Sequence, residues 1–331
     1  MKEPGFYPDG RTLGWIVAGG LTSALFFFSS IFIPLVGSFL GILSPMPILI
    51  LSFRKGGIAG FLTSLAAAFV IGFAFKPIVA LFFFTQFALL GLIAFYLIEK
   101  RASFGITMLL TSLVVAGGFF LLIEFQAISL SQGFFETLKK PVQENIKMAL
   151  QSYPGLSGAE VKEMQAMFQK MLSLLIVLVP TLIVIGSWVI LMVNLYLLDR
   201  LHLIPGREIL KDFDLNTWRA PDHFIWLVIL PGFGVFLSHG TLRIIALNIL
   251  IAALTVYFFQ GLCIINYYLA RKNVPPFIKA MIYFTLFVIQ IVAVMVILLG
   301  LLDMWMDFRK IFHKKPEETP PQQGPSDENT D

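Results

Sequence analysis

The chain has 331 residues, of which 57% are hydrophobic and only 13% are charged, and its mean hydropathy is +0.84. This balance lies far from that of a soluble globular domain and favours a protein whose solvent is the bilayer. The formal charge of +4 is not gathered on a soluble module with base-stacking aromatics, which argues against a nucleic-acid partner. One cysteine and four histidines without ligand-like spacing give no basis for a metal site, and we predict no cofactor.

Nine stretches of the chain approach the length of about 20 apolar residues that a helix needs to cross the hydrocarbon. They cover residues 14–33, 35–53, 57–75, 77–98, 104–125, 171–198, 223–238, 242–269 and 277–304. The segment 223–238 is the weakest, because it is short and contains Pro231. We therefore predict an all-α polytopic transmembrane helix bundle with about nine hydrophobic spans, of which eight or nine are true crossings.

Basic residues set the predicted orientation, because cytoplasmic loops of membrane proteins are enriched in Lys and Arg. With the N-terminus inside, most loop bases fall on the inner side: Arg54, Lys55, Lys100, Arg101, Arg200, Arg207, Lys211, Arg219, Arg271 and Lys272. The short outer loops then hold only Lys76 and Arg243. Nine crossings would nevertheless put the C-terminal bases outside, against the rule: Arg309, Lys310, Lys314 and Lys315. Either one span, most plainly 223–238, is not a full crossing, or the tail is an exception to the rule.

The polar segments divide the chain into five predicted regions: a tail 1–13, a five-helix membrane region 14–125, an insert 126–170, a C-terminal membrane region 171–305 with loop 199–222, and a tail 306–331. Apolar residues from Phe134 to Leu150 recur at helical spacing, which predicts an amphipathic extramembrane helix bent near Pro141. Ser157 and Glu160 fit a capping box that opens a helix leading into the sixth span. The last tail is basic, then acidic and rich in proline, which predicts disorder.

Neutral amides are the main polar groups inside the predicted spans. Gln86, Gln260 and Gln290 fall near the middle of their helices, and Asn248 lies in the eighth span. An amide facing lipid would leave polar atoms unsatisfied, so these side chains should point inward. They either join helices by hydrogen bonds or line a cavity for a solute.

Two acids, Glu124 and Asp303, lie near the ends of their spans. From there a carboxylate can reach headgroups or water. An interface role is therefore favoured over proton handling.

Pro45 and Pro47 interrupt the predicted second span. Each proline removes a backbone donor and frees a carbonyl, and broken helices often border substrate sites in transporters. A plain kink, or a helix that starts late, is the alternative. We count both prolines as candidate cavity residues together with the amides Gln86, Gln260, Gln290 and Asn248.

Small residues form a stripe on the first and third spans. The candidate partner face comprises Ala18, Thr22, Gly56, Gly60 and Ser64. Such a face lets another helix approach closely, either within the bundle or from a separate subunit.

The sequence contains none of the common enzyme motifs: there is no phosphate-binding loop, no HExxH, no GxSxG and no pair of intramembrane acids. We predict that the chain is not an enzyme. If it takes part in active transport, the NTPase is another chain.

Four stretches carry a resemblance to a known family: IFIPLVGSFLGILSPMPILILSFRKGGIAGFLTSL, DFDLNTWRAPDHFIWL, ALNILIAALTVYFFQGLCIINYYLARK and GLLDMWMDFRK. The chain from about residue 14 to 310 resembles the YybS-like family of bacterial membrane proteins, whose domain has no established function. This resemblance implies a multi-pass protein of the bacterial inner membrane.

The first six spans also resemble, more weakly, the substrate-binding S components of energy-coupling-factor vitamin transporters. That resemblance rests on Pro45 and Pro47, the segment 54–57, and the small residues Ala18 and Gly60. It implies a small-molecule solute and further membrane subunits. The insert 126–170 and the spans after 223 have no counterpart in S components, and fold analogy does not establish function.

Two functional hypotheses follow from these observations. The first is a solute-binding or transport component with partner subunits and a separate NTPase. The alternative is a membrane scaffold or envelope-assembly factor that acts through the insert and loop 199–222.

Overall fold

The computed structural model describes residues 9–33, 35–151, 158–204 and 218–308. Every regular element in these ranges is helical, which confirms the all-α prediction. The predicted acidic tail, the capping residue Ser157 and most of loop 199–222 lie outside the described residues.

Thirteen α-helices, one π-helix and one 3₁₀-helix follow one another in the described part of the chain. Their bounds are α1 Gly10–Phe32, α2 Val36–Gly41, α3 Met46–Lys55, α4 Gly57–Ala74, α5 Pro77–Phe83, the π-helix Phe84–Ala88, α6 Leu89–Glu99, α7 Phe104–Ser129, α8 Phe134–Gln151, α9 Gly158–Arg200, the 3₁₀-helix Asp222–Ile225, α10 Trp226–Leu237, α11 Gly240–Arg271, α12 Pro276–Val288 and α13 Gln290–Met306.

Seven helices of the described chain are long and apolar enough to cross a membrane, or eight if one bent pair forms a single span. The prediction is about nine hydrophobic spans, of which eight or nine cross, and the described helices of sufficient length number seven or eight. The shorter apolar helix Asp222–Leu237 corresponds to segment 223–238, the weakest of the predicted spans. The predicted last span 277–304 is not one helix, because α12 and α13 meet at 100°. Ile289, in extended backbone with ψ of 101°, separates the two helices.

One compact unit of the chain comprises Met1–Asp214 and Leu230–Ala252. Its core is a cluster of apolar side chains from α1, α3, α4, α5 and the π-helix, in which the rings of Phe27 and Phe83 meet edge to face at 5.5 Å. Gly20 allows α1 and α4 to pack closely, since a Cβ at this position would lie 2.6 Å from the Cβ of Ala66. The five-helix region 14–125 lies entirely within this unit.

The second compact unit comprises Leu215–Ile229 and Ala253–Asp331. Within it, α11 and α13 touch backbone to backbone through two glycines. A Cβ on Gly300 would lie 2.0 Å from the carbonyl oxygen of Tyr257, and one on Gly261 would lie 2.2 Å from that of Val296. Close packing of this kind is a common basis of helix association in lipid.

The amphipathic segment of the insert forms α8, which continues as a helix through Pro141 and packs on both α7 and α9. Phe134 anchors it, because its ring stacks on Phe120 of α7 at 5.7 Å, whereas Phe135 is exposed. The following helix α9 has 43 residues and runs without interruption into the sixth span. Whether α8 lies outside the membrane stays a prediction.

Candidate functional site

Gln86 lies in a π-helix, Phe84–Ala88, that connects α5 and α6. A π-helical turn widens the backbone by one residue, and such turns are frequent at functional sites. The Nε2 of Gln86 is buried and has no hydrogen-bond partner among the described residues. A buried amide donor without an acceptor costs about 1–3 kcal/mol. This is the cost that a ligand with an acceptor would relieve.

A groove of about 310 Å³ lies beside this amide, between the π-helix region and α9. Phe82, Gln86 and Phe87 line one side, and the other side is formed by α9 residues Val179, Leu182, Ile183, Gly186, Ser187 and Ile190. None of these side chains is ionisable. Ser187 is already engaged, because its hydroxyl donates to the Ile183 carbonyl at 2.8 Å. Gln86 therefore supplies the free polar group of an otherwise apolar groove.

Asn248 does not line the groove. Its side-chain amide binds the backbone of α9 on both sides of Pro180: Nδ2 donates to the Val177 carbonyl at 2.9 Å, and Oδ1 accepts from the Thr181 N–H at 3.2 Å. Proline lacks an N–H and disturbs the hydrogen bonds of the turn around it. Asn248 thus stabilises the turn of α9 around Pro180, so it joins two helices by hydrogen bonds.

Pro45 and Pro47 stand at the start of α3, Pro45 as its cap and Pro47 in its first turn. The predicted second span is interrupted just before these prolines, because α2 ends at Gly41, a turn occupies residues 42–45, and α3 begins at Met46. Two carbonyls before it are satisfied from other helices, since Ser23 donates to Ser44 at 2.5 Å and Asn194 donates to Ile42 at 2.8 Å. Neither proline lines the groove at Gln86.

Gln260 and Gln290 belong to the second unit. Gln260 is only 1% exposed and fully engaged, because its Oε1 accepts from the Ala220 N–H at 3.1 Å and its Nε2 donates to Asp303 at 3.1 Å. Gln290 is the first residue of α13, and its side chain lies outside the described part of the structure. Of the predicted cavity residues whose side chains the structure describes, only Gln86 lines the groove.

The expectation that the Asp303 carboxylate reaches headgroups or water is wrong. It is 1% exposed, and its carboxylate accepts from Gln260 and from the Phe308 N–H at 2.9 Å. Beside it, Arg219 donates to the Met304 carbonyl at 2.9 Å and approaches Asp307 at 4.0 Å. Glu124, in contrast, is exposed as expected.

We call Arg219, Ala220, Gln260, Asp303 and Asp307 the polar clasp. This cluster was not among the sites predicted from the sequence. The available signal was an acid and an amide inside apolar helices together with Arg219 at the end of loop 199–222, but only the fold brings them together.

The predicted partner face divides into buried and exposed parts. Gly60 and Ser64 are buried, and a Cβ on Gly60 would lie 1.8 Å from the hydroxyl oxygen of Ser52 on α3. Ala18 and Thr22 are exposed on α1, and Gly56 stands between α3 and α4 with φ of +94°. Contact with a partner subunit stays a prediction for Ala18 and Thr22.

The seven or eight long apolar helices among the described residues define this chain as a polytopic α-helical membrane protein. The family model described as predicted membrane protein (DUF2232) matches residues 21–304, and the chain belongs to this family. No curated protein and no solved structure matches it significantly. The match does not bear on the name YybS-like or on the resemblance to S components, and both stay predictions.

Proposed function

We propose that this chain is a membrane component that binds a small, uncharged solute in the groove at Gln86. The observation that carries the proposal is the Nε2 of Gln86, which is buried and has no acceptor among the described residues, on a side chain that lines the groove. A polar atom is rarely buried without a partner, and a bound molecule is one explanation of such an atom.

The lining of the groove indicates the class of solute. None of the described side chains that line it is charged, so an ionic solute would lose its hydration without gaining a counter-charge. The amide N–H can donate only, which calls for a carbonyl, ether or hydroxyl oxygen. At the rim, Phe82 is 38% exposed and Leu182 46% exposed, so that the groove can be reached from the bilayer. The solute we propose is a largely apolar molecule with one oxygen acceptor that partitions into lipid.

A transport role is the further part of this proposal. It rests on the resemblance of the first six spans to S components, which bind a solute and depend on a coupling subunit and an NTPase. The membrane in question would be the inner membrane of a bacterium. Exposed Ala18 and Thr22 on α1 are where such a subunit would dock.

Mass spectrometry of the full-length protein, purified in mild detergent, tests the binding proposal. We expect a co-purifying small molecule in the wild type and about tenfold less of it in Gln86→Leu, since one hydrogen bond to a buried amide is worth about 1–1.5 kcal/mol. Gln126→Leu changes an amide of α7 outside the groove and should have no effect.

A second variant fills the groove. A Cβ on Gly186 would meet nothing within 4 Å, so Gly186→Leu should occupy the space without disturbing its neighbours. Gly117 of α7 has equally open surroundings and lies outside the groove, which makes Gly117→Leu the matched control. The proposal fails if Gly186→Leu and Gly117→Leu retain the same bound molecules as the wild type.

The scaffold function is the second candidate, and the length of α9 favours it. Forty-three helical residues extend about 65 Å, roughly twice the hydrocarbon thickness, so part of α9 must extend beyond the bilayer. Exposed Phe135 and Met167 could bind a partner protein there. Cross-linking from Phe135 and Met167 in membranes tests this function. A cross-linked partner protein, together with a purified chain that carries no solute, would favour the scaffold function.

A further inference from the structure

We infer that the chain crosses the membrane eight times, with both ends on the same side, and that α12 and α13 enter and leave from one side without crossing. The polar clasp carries this inference. It joins residues that precede α10 to residues at the end of α13, all within the second compact unit.

The contacts of the clasp fix which parts of the chain share a side of the membrane. Arg219 donates to the carbonyl of Met304, and the N–H of Ala220 donates to Gln260, which in turn donates to Asp303. Direct hydrogen bonds of about 3 Å cannot connect two faces of a bilayer whose hydrocarbon is about 30 Å thick. The end of loop 199–222 and the end of α13 therefore lie at the same face.

The charged residues in and beside the polar clasp indicate that it lies at the membrane boundary. Arg219, Asp222 and Asp307 are all partly or largely exposed, and ionised side chains at the bilayer centre are costly. A chain that leaves this boundary after Asp222 and returns to it at Asp303 must cross the bilayer an even number of times in between.

Helix lengths show which segments make those crossings. From Gly240 to Gln260, α11 rises about 30 Å, which matches the hydrocarbon thickness and brings Gln260 to the boundary where the clasp lies. Asp222–Leu237 begins with a 3₁₀ turn and extends about 26 Å, short but within reach of a slightly thinned bilayer. These two segments form an outward and a return crossing.

The helices α12 and α13 must then begin and end at the same side of the membrane. The 100° bend between Pro276–Leu286 and Ile291–Met306 suits a segment that turns back without crossing. Tyr283 of α12 donates to Asn266 near the end of α11 at 2.9 Å, which holds α12 at the side of the membrane where α11 ends. With six crossings before Arg200, the total is eight.

This topology removes the conflict that nine crossings create. The C-terminal bases then fall on the same side as loop 199–222, which is the inner side if the N-terminus is inside: Arg309, Lys310, Lys314 and Lys315. Trp305, exposed in the last turn of α13, is placed at headgroup level beside this basic run.

Single cysteines labelled with a membrane-impermeant maleimide in sealed vesicles test the inference. Cys263 is 4% exposed, so the wild-type background should label weakly, and Cys263→Ala provides a second background. We expect cysteines replacing Asn216, Asn273 and Ser326 to label from one side. Those replacing Ser152 and His239 should label from the opposite side.

Each unexpected pattern overturns a defined part of the inference. If Ser326→Cys labels from the side opposite to Asn216→Cys, the number of crossings between them is odd and the clasp does not unite the two ends. If His239→Cys labels from the same side as Asn216→Cys, Asp222–Leu237 does not cross and the assignment of α12 and α13 is wrong. Folding of each variant is checked by gel filtration in detergent.

Discussion

The Oδ1 of Asn248 accepts two hydrogen bonds from Thr181, one from the backbone N–H at 3.2 Å and one from the hydroxyl at 2.7 Å. The same amide donates to the carbonyl of Val177, so that one side chain of α11 binds the backbone of α9 on both sides of Pro180. Asn248 was a candidate cavity residue because of its position in an apolar helix. In the structure its side chain instead stabilises the neighbouring helix α9 by hydrogen bonds.

Asn248→Leu should therefore lower thermal stability in detergent by the equivalent of about 1–3 kcal/mol, because a backbone donor and a carbonyl lose their partner in an apolar setting. Thr181→Val removes the hydroxyl and keeps the backbone N–H, so it should cost only about 0.6 kcal/mol, a typical value for a side-chain hydrogen bond within membrane proteins. Equal melting temperatures for wild type and Asn248→Leu would contradict this assignment.

Gln86 and Gln260 should respond differently to the same substitution. Gln86→Leu removes an amide whose Nε2 has no partner, so stability should be unchanged or rise slightly. Gln260→Leu leaves the Ala220 N–H without a partner and removes one of the two donors to the buried Asp303 carboxylate, and we expect a loss of about 2–4 kcal/mol. Thermal unfolding of the two purified variants side by side checks this, and a larger loss for Gln86→Leu would reverse both assignments.

Gly60→Leu should destabilise the isolated protein, because its Cβ alone would lie 1.8 Å from the Ser52 hydroxyl and 3.2 Å from the Ile48 carbonyl. Ser52→Ala removes the closest of these atoms. The loss of stability caused by Gly60→Ala should therefore be smaller in the double variant Gly60→Ala with Ser52→Ala.

Ala18→Leu, on the exposed side of α1, should leave the melting temperature unchanged and block any subunit that docks there. Pull-down from membranes distinguishes these cases: retention of all partners by Ala18→Leu would exclude docking at α1.

Arg219→Ala should loosen the end of α13, since it removes the donor to Met304 and the contact with Asp307. We expect cleavage by an added protease after residue 303 to become several-fold faster, with little change in the global melting temperature. Arg243→Ala removes an exposed arginine outside the clasp and serves as the control. Identical cleavage rates for the two variants would show that the clasp does not hold the tail.

Phe134→Asp should release α8 more than Phe135→Asp does. Only the ring of Phe134 stacks on Phe120, while Phe135 is exposed. Limited proteolysis across residues 126–170 measures the difference. Stronger cleavage of Phe135→Asp would indicate that the exposed ring is covered by lipid or by a partner.

The class of the protein follows from the sequence, because hydrophobicity is a local property: a run of about 20 apolar residues needs a bilayer whatever surrounds it. The first six spans, and the weakness of 223–238, could be predicted on this ground. The break at Ile289 could not, since residues 277–299 contain neither proline nor glycine and read as a single apolar run.

The roles of individual polar residues depended on tertiary structure. Gln86, Asn248 and Gln260 are all amides within apolar helices, and the sequence gives no means of telling them apart. Their partners are distant in sequence: Thr181 lies 67 residues from Asn248, and Asp303 lies 43 residues from Gln260. Whether an amide is engaged or left free is decided by which helix packs against it, and that is a property of the folded bundle.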